Sequence, residues 1–271
     1  MTEAPSLDLT SGSVPETAVA LAGDWHGRVH WIGNAIPALH HAAPEVSTIL
    51  HVGDLWPDEK TLATIDHHAA LAGIDRVLLT TGNHEPWGDI TPALAAAEGA
   101  PARLSETVFV LPRPYRFEIG GRTFLSLGGA TSIDRRDGAE GLDWWEDECI
   151  SDDMVDGAIA GGRTDIMLTH ESPESTPVKA VRRILDLNPE RLPRSDLAIA
   201  AASRQQVERV WNAVRPTILV HGHIHAPGAG TTVDGRRVVS LGCDGQPGNL
   251  ELLDLVTLEL TPVAVPRRRR G

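Results

Sequence analysis

Residues 19–27 read VALAGDWHG, an apolar run that stops at a cluster of glycine, aspartate and histidine. Four later apolar runs, at 48–52, 77–80, 166–169 and 217–220, also end beside aspartate, asparagine, histidine or glutamate. Short apolar runs bounded in this way predict buried β-strands. Helical periodicity between the runs predicts helices over 58–72, 90–98 and 203–214. Strands that alternate with helices indicate an α/β fold with a largely parallel sheet.

Other parts of the chain carry hairpin signals. Runs at 115–119 and 122–127 flank Gly120-Gly121, runs at 231–233 and 236–241 flank Asp234-Gly235, and a last strand pair is expected within 250–260. Two-residue turns of this composition join antiparallel strands. The predicted fold is therefore mixed, with two sheets packed face to face and helices outside.

The chain is predicted to form one domain over residues 17–265, because it shows neither an internal repeat nor a Pro-rich linker in its middle. Residues 1–16 lack periodicity and are expected to be a flexible N-terminal arm. Residues 128–162 are Gly-rich and acidic and are expected to form an insertion or lid loop, since long loops are often functional. Residues 266–271 form a basic tail whose role the sequence does not indicate.

The composition excludes several classes of protein. The 271 residues include 37 acidic and 24 basic side chains, for a formal net charge of -13, and an acidic protein is a poor partner for long nucleic acid. Cys149 and Cys243 are too few for a disulfide framework, which indicates a reducing compartment. No apolar run approaches the ~18 residues of a membrane span, and residues 1–13 do not resemble a signal peptide. We therefore expect a cytoplasmic protein without a membrane segment.

The polar clusters at the strand ends are the candidate site. In an α/β sheet the carboxyl ends of parallel strands lie side by side, so these clusters are expected to converge. Each cluster alone has an ordinary explanation as a turn, a helix cap or a buried histidine. His223 and His225 are more specific, because residues two apart on an extended strand point to the same face and two imidazoles suit a divalent metal. His51 is expected to be a core residue or to support a neighbouring ligand, and His221 is expected to be structural or to support a ligand.

The combined pattern resembles the calcineurin-like metallophosphoesterases. Their blocks are Asp-x-His, Gly-Asp, Gly-Asn-His-Asp/Glu, a lone His and Gly-His-x-His, and all occur in this order across residues 23–225. The resemblance implies a four-layer αββα sandwich, in which two mixed β-sheets are flanked by helices. It also implies that these blocks bind two divalent metal ions.

The resemblance implies a role for each residue that matches a block. The implied metal ligands are Asp24, His26 and His225 for one ion and Asn83, His170 and His223 for the other, with Asp54 bridging. A shared carboxylate offsets the repulsion between two close dications. Imidazoles combined with carboxylate and amide oxygens suit Mn, Fe, Zn, Ni or Co better than Ca or Mg.

His84 is expected to be catalytic rather than a ligand. It follows Asn83, so if the Asn83 side chain points at a metal ion, His84 can face the substrate. The resemblance implies that His84 protonates the leaving group or stabilises charge in the transition state. These roles imply hydrolysis of phosphomonoesters or phosphodiesters by attack of a metal-bridging hydroxide on phosphorus.

The second block departs from one branch of the family. Ser/Thr phosphoprotein phosphatases carry Gly-Asp-x-x-Asp-Arg-Gly, whereas residues 53–59 read GDLWPDE, without the arginine that grips phosphate. Asp58 is a candidate for the acidic partner of the catalytic histidine. A phosphoprotein phosphatase remains an alternative, as does a non-catalytic interaction scaffold with the same fold.

Aromatic usage bears on the substrate, which is expected to be a small phosphoester or a nucleotide. The chain has seven Trp against three Phe and one Tyr. Trp56 and Trp87 lie within three residues of a motif residue and are candidate substrate-binding residues, as an aromatic rim that stacks on a nucleobase or aryl group. The alternative is that these tryptophans pack beneath the metal-binding loops.

Overall fold

The computed structural model describes residues 16–133, 135 and 138–266. One sheet contains seven strands: β1 (Ala18–Ala22), β2 (Thr48–His51), β3 (Arg76–Leu79), β4 (Ala102–Arg103), β5 (Val108–Val110), β12 (Leu250–Asp254) and β13 (Leu260–Pro262). Their order is β13-β12-β1-β2-β3-β5-β4. Strands β1, β2 and β3 are parallel, as the alternation of strands and helices predicts. Strand β5, which the sequence analysis does not predict, pairs parallel with β3.

The second sheet contains six strands: β6 (Tyr115–Ile119), β7 (Arg122–Leu127), β8 (Ile166–Thr169), β9 (Ile218–His221), β10 (Gly228–Thr231) and β11 (Arg237–Ser240). Their order is β10-β11-β9-β8-β7-β6. The hairpin β6–β7 has its predicted bounds. The second hairpin begins earlier than predicted, because Thr232 already belongs to the turn, where its carbonyl accepts from the backbone N–H of Gly235.

Six α-helices are described: α1 (Val29–Ala42), α2 (Glu59–Ala72), α3 (Trp87–Ala96), α4 (Asp152–Ala160), α5 (Lys179–Leu187) and α6 (Arg194–Val214). Residues of α1, α2 and α3 pack with the outer face of the seven-stranded sheet, and residues of α4, α5 and α6 pack with the outer face of the six-stranded sheet. The predicted four-layer αββα sandwich is therefore confirmed. Within the described part of the chain, none of the helices combines the length and apolarity needed to cross a membrane.

The central strands are buried on both faces. Ala20 and Ile49 point to the layer of α1 and α2, whereas their neighbours Leu21 and Leu50 point into the space between the sheets. Successive side chains of a strand point to opposite faces, so one continuous apolar run supplies two layers of core.

Helix α1 lies in a stretch for which the sequence analysis gives no helix bounds. Pro37 lies inside the helix, where its ring removes a backbone donor. Burial of Ile32, Ile36 and Leu39 against the seven-stranded sheet offsets this cost. Helix α6 begins nine residues before its predicted start at Ser203. Tertiary packing thus overrides a weak local signal.

The predicted arm and tail lie almost entirely outside the described residues. Glu16 is described and is held in place, since it accepts hydrogen bonds from Ser47 and Thr48 and pairs with Arg76 at 2.7 Å. The predicted insertion over 128–162 is partly a packed helix, because α4 buries Val155 against the six-stranded sheet. That part belongs to the outer helix layer.

Candidate metal centre

The ends of strands from both sheets converge on one site. Asp24 and His26 follow β1, Asp54 follows β2, Asn83 follows β3, His170 follows β8, and His223 and His225 follow β9. Strands β1 to β3 belong to the seven-stranded sheet and β8 and β9 to the other, so the site spans the carboxyl ends of both sheets. All seven predicted ligands lie here.

Asp24, His26 and His225 form the first ligand group. Their potential ligand atoms all lie within 4.8 Å of one another. The Nε2 atom of His225 is 3.2 Å from Oδ1 of Asp24. The same carboxylate oxygen accepts a hydrogen bond from the backbone N–H of His223 at 3.0 Å, which ties the ends of β1 and β9 together.

Asp54, His170 and His223 form the second ligand group, again with ligand atoms within 4.8 Å of one another. Asn83 adjoins this group, since its Oδ1 atom lies 3.2 Å from Nε2 of His170. The other ring nitrogen of His170 lies 2.7 Å from the backbone carbonyl of Val52. A ligand histidine held through its second nitrogen has a defined ring orientation.

Asp54 lies between the two groups. Its Oδ2 atom is 3.2 Å from Nε2 of His170 and 3.6 Å from Nε2 of His26. Its other oxygen, Oδ1, accepts a hydrogen bond from the backbone N–H of His84 at 2.9 Å. One carboxylate oxygen therefore faces histidines of both groups, as a bridging position requires.

Five of the seven candidate ligand residues have left-handed backbone conformations: Asp24 (φ 53°), His26 (φ 45°), Asp54 (φ 55°), His223 (φ 65°) and His225 (φ 53°). A non-glycine residue in this region costs of order 1 kcal/mol, and such residues cluster at functional sites. The surrounding hydrogen bonds hold the backbone in a shape that points these side chains inward.

The donor set fits a bound cation. The Oδ2 atom of Asp24 is buried, and no described residue donates a hydrogen bond to it. An unpaired buried carboxylate oxygen is costly, and a metal ion is a physical solution to that cost. A side chain at Gly222 would collide with this oxygen, so glycine keeps the space beside it open.

The carboxylates also impose a need for positive charge. Burial alone lowers the pKa of His26, but hydrogen bonds to Asp244 and Asp54 outweigh burial and raise it to about 10. Burial likewise lowers the pKa of His170, whereas the charge of Asp54 raises it to about 9. In both cases Asp54 faces the Nε2 atom of the histidine and favours positive charge there, the position at which a metal ion would bind.

Two neighbouring histidines have the opposite environment. Burial lowers the pKa of His51 to about 3 and that of His221 to about 4. His51 packs edge-on against Trp25, and Nδ1 of His221 lies 2.9 Å from the carbonyl oxygen of Gly222. Neutral, buried rings of this kind have structural roles.

Asp244 supports the first ligand group and was not among the predicted site residues. Its Oδ1 atom lies 3.0 Å from Nδ1 of His26. A carboxylate behind a ligand histidine orients the ring and raises its basicity. The sequence carries a signal for it, because the apolar run 238–241 ends at Gly242-Cys243-Asp244, much as 48–52 ends at Gly53-Asp54.

Ser132 and Glu148 support Asn83 and were also not predicted. The Asn83 amide nitrogen donates to the Ser132 hydroxyl at 3.1 Å, and that hydroxyl donates to the buried Glu148 carboxylate at 3.0 Å. Arg135 forms a salt bridge with Glu148 at 3.0 Å. The chain of contacts turns the amide oxygen of Asn83 towards His170.

Glu85 fixes the loops that carry Asp54 and Asn83. Its buried carboxylate accepts hydrogen bonds from the backbone N–H groups of Gly82 at 2.9 Å and Trp56 at 3.1 Å. Burial, with the nearby charge of Asp54, raises the pKa of Glu85. Glu85 therefore orients the loop that carries Asn83 relative to the loop that carries Asp54.

A cavity of about 290 Å³ opens beside the ligand groups. Four candidate ligands and His84 contribute to its lining: Asp54, Asn83, His223 and His225 are the ligands. His84 is half-buried, and its ring centre lies 6.4 Å from that of His26. The predicted catalytic histidine thus faces the space a substrate would enter.

The structure corrects the interpretation of two residues. Trp87 is only 1% exposed and packs under Arg113, whose guanidinium carbon lies 4.2 Å from the ring centre, so Trp87 cannot offer a ring face to a substrate. Trp56 is 37% exposed and remains a candidate. Asp58 caps α2 by accepting from the backbone N–H of Thr61, which gives this carboxylate a structural role.

Solved structures share this fold. A dimetal phosphatase from Danio rerio matches with a TM-score of 0.57 and 12% identity over 93% of this chain and 100% of that chain. The protein TT1561 of Thermus thermophilus matches with a TM-score of 0.54 and 12% identity over 91% of this chain and 97% of that chain. GAP50, the anchor in the inner membrane complex of Plasmodium, matches with a TM-score of 0.50 and 11% identity over 94% of this chain and 91% of that chain. At these identities the similarity shows the fold alone.

The sequence itself identifies the family. None of the curated proteins matches the chain significantly. The family model of the calcineurin-like phosphoesterases matches residues 17–227, a span that contains every candidate ligand and His84. The chain therefore belongs to the calcineurin-like phosphoesterases.

Proposed function

We propose that the protein is a phosphoesterase that uses two divalent transition-metal ions, drawn from Mn, Fe, Zn, Ni and Co. The observation that carries the proposal is the position of Asp54 Oδ2 between histidines of the two ligand groups. A shared carboxylate is what two close cations need, whereas a protein that serves only as an interaction scaffold needs neither group. Asn83, with its oxygen beside His170, adds an uncharged ligand to the second group.

Hydrolysis of a phosphoester requires an activated water, neutralisation of charge on the phosphoryl oxygens and a proton for the leaving group. When bound, two divalent ions would activate water as a nucleophile and neutralise charge on the phosphoryl oxygens. Hydrolysis forms one bond between phosphorus and the oxygen of water and breaks the ester bond between phosphorus and the alcohol oxygen. The departing oxygen must then take up a proton.

His84 is placed to supply that proton. Its backbone N–H is held by Asp54, while its half-buried side chain lines the cavity. An imidazole ring can carry a proton and release it to a departing oxygen, which suits general acid catalysis. We assign His84 to the leaving group and the seven ligand residues to the metal ions.

The substrate class follows from the size and charge of the molecule. The cavity is small, and the chain carries a net charge of -13, so a long nucleic acid is a poor substrate. A small phosphoester can approach the site because the metal ions provide a local positive potential.

The test is a hydrolysis panel on metal-free protein to which Mn, Fe, Zn, Ni, Co or Mg is returned. The substrates are an aryl phosphomonoester, an aryl phosphodiester and a phosphopeptide, and Asp54→Asn serves as the matched inactive control. We expect turnover of a small ester with a transition metal and little turnover by the variant. Turnover of the phosphopeptide alone would instead favour a phosphoprotein phosphatase. Failure of every substrate, combined with absence of metal binding, would overturn the proposal.

A further inference from the structure

Apart from the candidate ligands and His84, the cavity is lined mainly by apolar side chains, which form its apolar wall. This wall is built by α5, by the connection 188–193, by the first half of α6 and by two residues from other loops. The apolar side chains that line it are Ile133, Ile184, Leu185, Leu192, Leu197 and Ile224. Nothing in the phosphoester chemistry of the metal centre requires such a wall, so it indicates what the rest of the substrate is.

Polar side chains on this wall already have partners within the protein. The Asn188 amide donates to the carbonyl of Leu192 at 3.0 Å and accepts from its N–H at 2.9 Å. The Arg204 guanidinium pairs with Glu174 at 2.6 Å, and the Arg204 side chain is only 10% exposed. These groups therefore offer little hydrogen bonding to a nucleobase or a sugar.

The charge on this wall is also unsuited to a second phosphate. Glu174 offsets the positive charge of Arg204. Glu190, an exposed carboxylate, lines the same wall and repels an anion. A nucleoside diphosphate or triphosphate would place its remaining phosphates beside these carboxylates.

We infer, on the basis of the proposed function, that the substrate is the phosphate ester of an alcohol with an alkyl chain. The phosphate lies at the two ligand groups and the chain lies against the wall formed by α5 and α6. Burying the chain removes apolar surface from water on both partners, which provides binding energy without further hydrogen bonds. His84 lines the same cavity and would protonate the ester oxygen that joins the phosphate to the chain.

The first experiment compares kcat/KM for methyl, butyl and octyl phosphate and for a nucleoside monophosphate, with the metal-loaded protein. Each methylene that is fully buried should increase kcat/KM up to about fourfold, the equivalent of about 0.8 kcal/mol. We expect octyl phosphate to exceed both methyl phosphate and the nucleotide. Equal kcat/KM values along the alkyl series, or a preference for the nucleotide, would overturn the inference.

The variants Ile184→Asp and Leu192→Asp test the wall itself. Either charge should lower the ratio of kcat/KM for octyl over methyl phosphate at least tenfold, because a carboxylate must lose water to contact the chain. Ile184 is partly exposed, so its substitution is compatible with folding. Leu71→Asp, at an exposed leucine of α2 away from the cavity, is the matched control and should leave the ratio unchanged. A ratio unaffected by both wall variants would exclude this wall as the chain site.

Binding of alkylphosphonates separates this inference from the proposed function. These compounds are not hydrolysed, and calorimetry reports their affinity with the metal-loaded protein whether or not it is an enzyme. We expect octylphosphonate to bind more tightly than methylphosphonate, with a more negative heat-capacity change. Chain-dependent binding without hydrolysis of any ester would support the apolar site and reject the phosphoesterase activity. Hydrolysis with chain-independent binding would support the phosphoesterase activity and reject the apolar site.

Discussion

Asp244 lies 218 positions from His26 in the chain, yet its Oδ1 atom is 3.0 Å from Nδ1 of that candidate ligand histidine. The contact joins the loop after β11 to the loop after β1. It is reinforced by a backbone hydrogen bond from the N–H of Asp244 to the carbonyl of Asp24 at 2.9 Å. The first ligand group is therefore held by a loop that contributes no predicted ligand of its own.

Asp244→Ala should weaken metal binding at the first ligand group about 10- to 100-fold, because the His26 ring loses the carboxylate that orients it. Competition with a chromophoric chelator measures the affinity. Asp75→Ala, at an exposed aspartate before β3, is the control. Equal metal affinity in the two variants would show that the contact does not support His26.

Asp54→Asn should weaken binding of both metal ions together, because one carboxylate oxygen faces histidines of both groups. The amide that replaces it carries no charge to offset repulsion between two dications. Metal content after dialysis, measured by mass spectrometry, checks the result against the control Asp75→Asn. Retention of one ion at its original affinity would contradict a bridging position.

His84→Ala should retain both metal ions and lower kcat about 10²- to 10⁴-fold for esters of alkyl alcohols, which are poor leaving groups. The loss should be much smaller for a nitrophenyl ester, whose leaving group departs without a proton. His40→Ala, at an exposed histidine of α1, is the control. If both kinds of ester lost activity equally, His84 would not be the proton donor.

Ser132→Ala should lower the metal affinity of the second ligand group about tenfold, because the Asn83 amide loses the acceptor that sets its orientation. Glu148 retains hydrogen bonds from Arg135 and from the backbone N–H of residue 132, so the fold should persist. Chelator competition again supplies the measurement, and Ser47→Ala, which also removes a serine hydroxyl bonded to a glutamate, is the control. Wild-type affinity in Ser132→Ala would remove this serine from the site.

Asp66→Asn should make stability less dependent on pH in acid. Burial alone raises the pKa of Asp66, but hydrogen bonds from Thr107 and Ser105 outweigh it and lower the pKa below its usual value. A carboxylate with a lowered pKa in the folded state stabilises the protein above its unfolded-state pKa, and this contribution is lost as pH falls. The variant should therefore have a lower Tm at neutral pH, with the difference shrinking below about pH 4. An equal Tm difference between wild type and variant at neutral pH and at acid pH would contradict the lowered pKa of Asp66. Asp75→Asn is the control.

The predicted strands and ligands could be read from the sequence because their signals are local. An apolar run that stops at glycine and an acidic or imidazole side chain specifies both a buried strand and the polar group at its end. The bounds of β8 match the prediction for this reason, and those of β6 and β7 match because Gly120-Gly121 marks the turn between them. The candidate ligands could be located in the same way, because each lies within four residues of the end of its strand.

Other parts of the site depend on contacts between distant segments. Ser132 reaches Asn83 only through the path of a loop that has no periodicity, and Trp87 is covered by Arg113, 26 positions along the chain. Neither contact can be predicted from the residues that flank the two partners in the sequence. Helix α1 likewise forms because a sheet covers its apolar face, despite Pro37.

The sequence alone determined most of the strands, the residue types at the ends of those strands and hence the family, because hydrophobic period and motif spacing are properties of neighbouring residues. The tertiary structure decided how the two sheets align their strand ends, so that Asp54 lies between His26 and His170. It also decided that the apolar residues of α5 and α6 form one wall of the cavity. Those relationships arise from close packing between segments far apart in the chain, and only the folded protein brings such segments together.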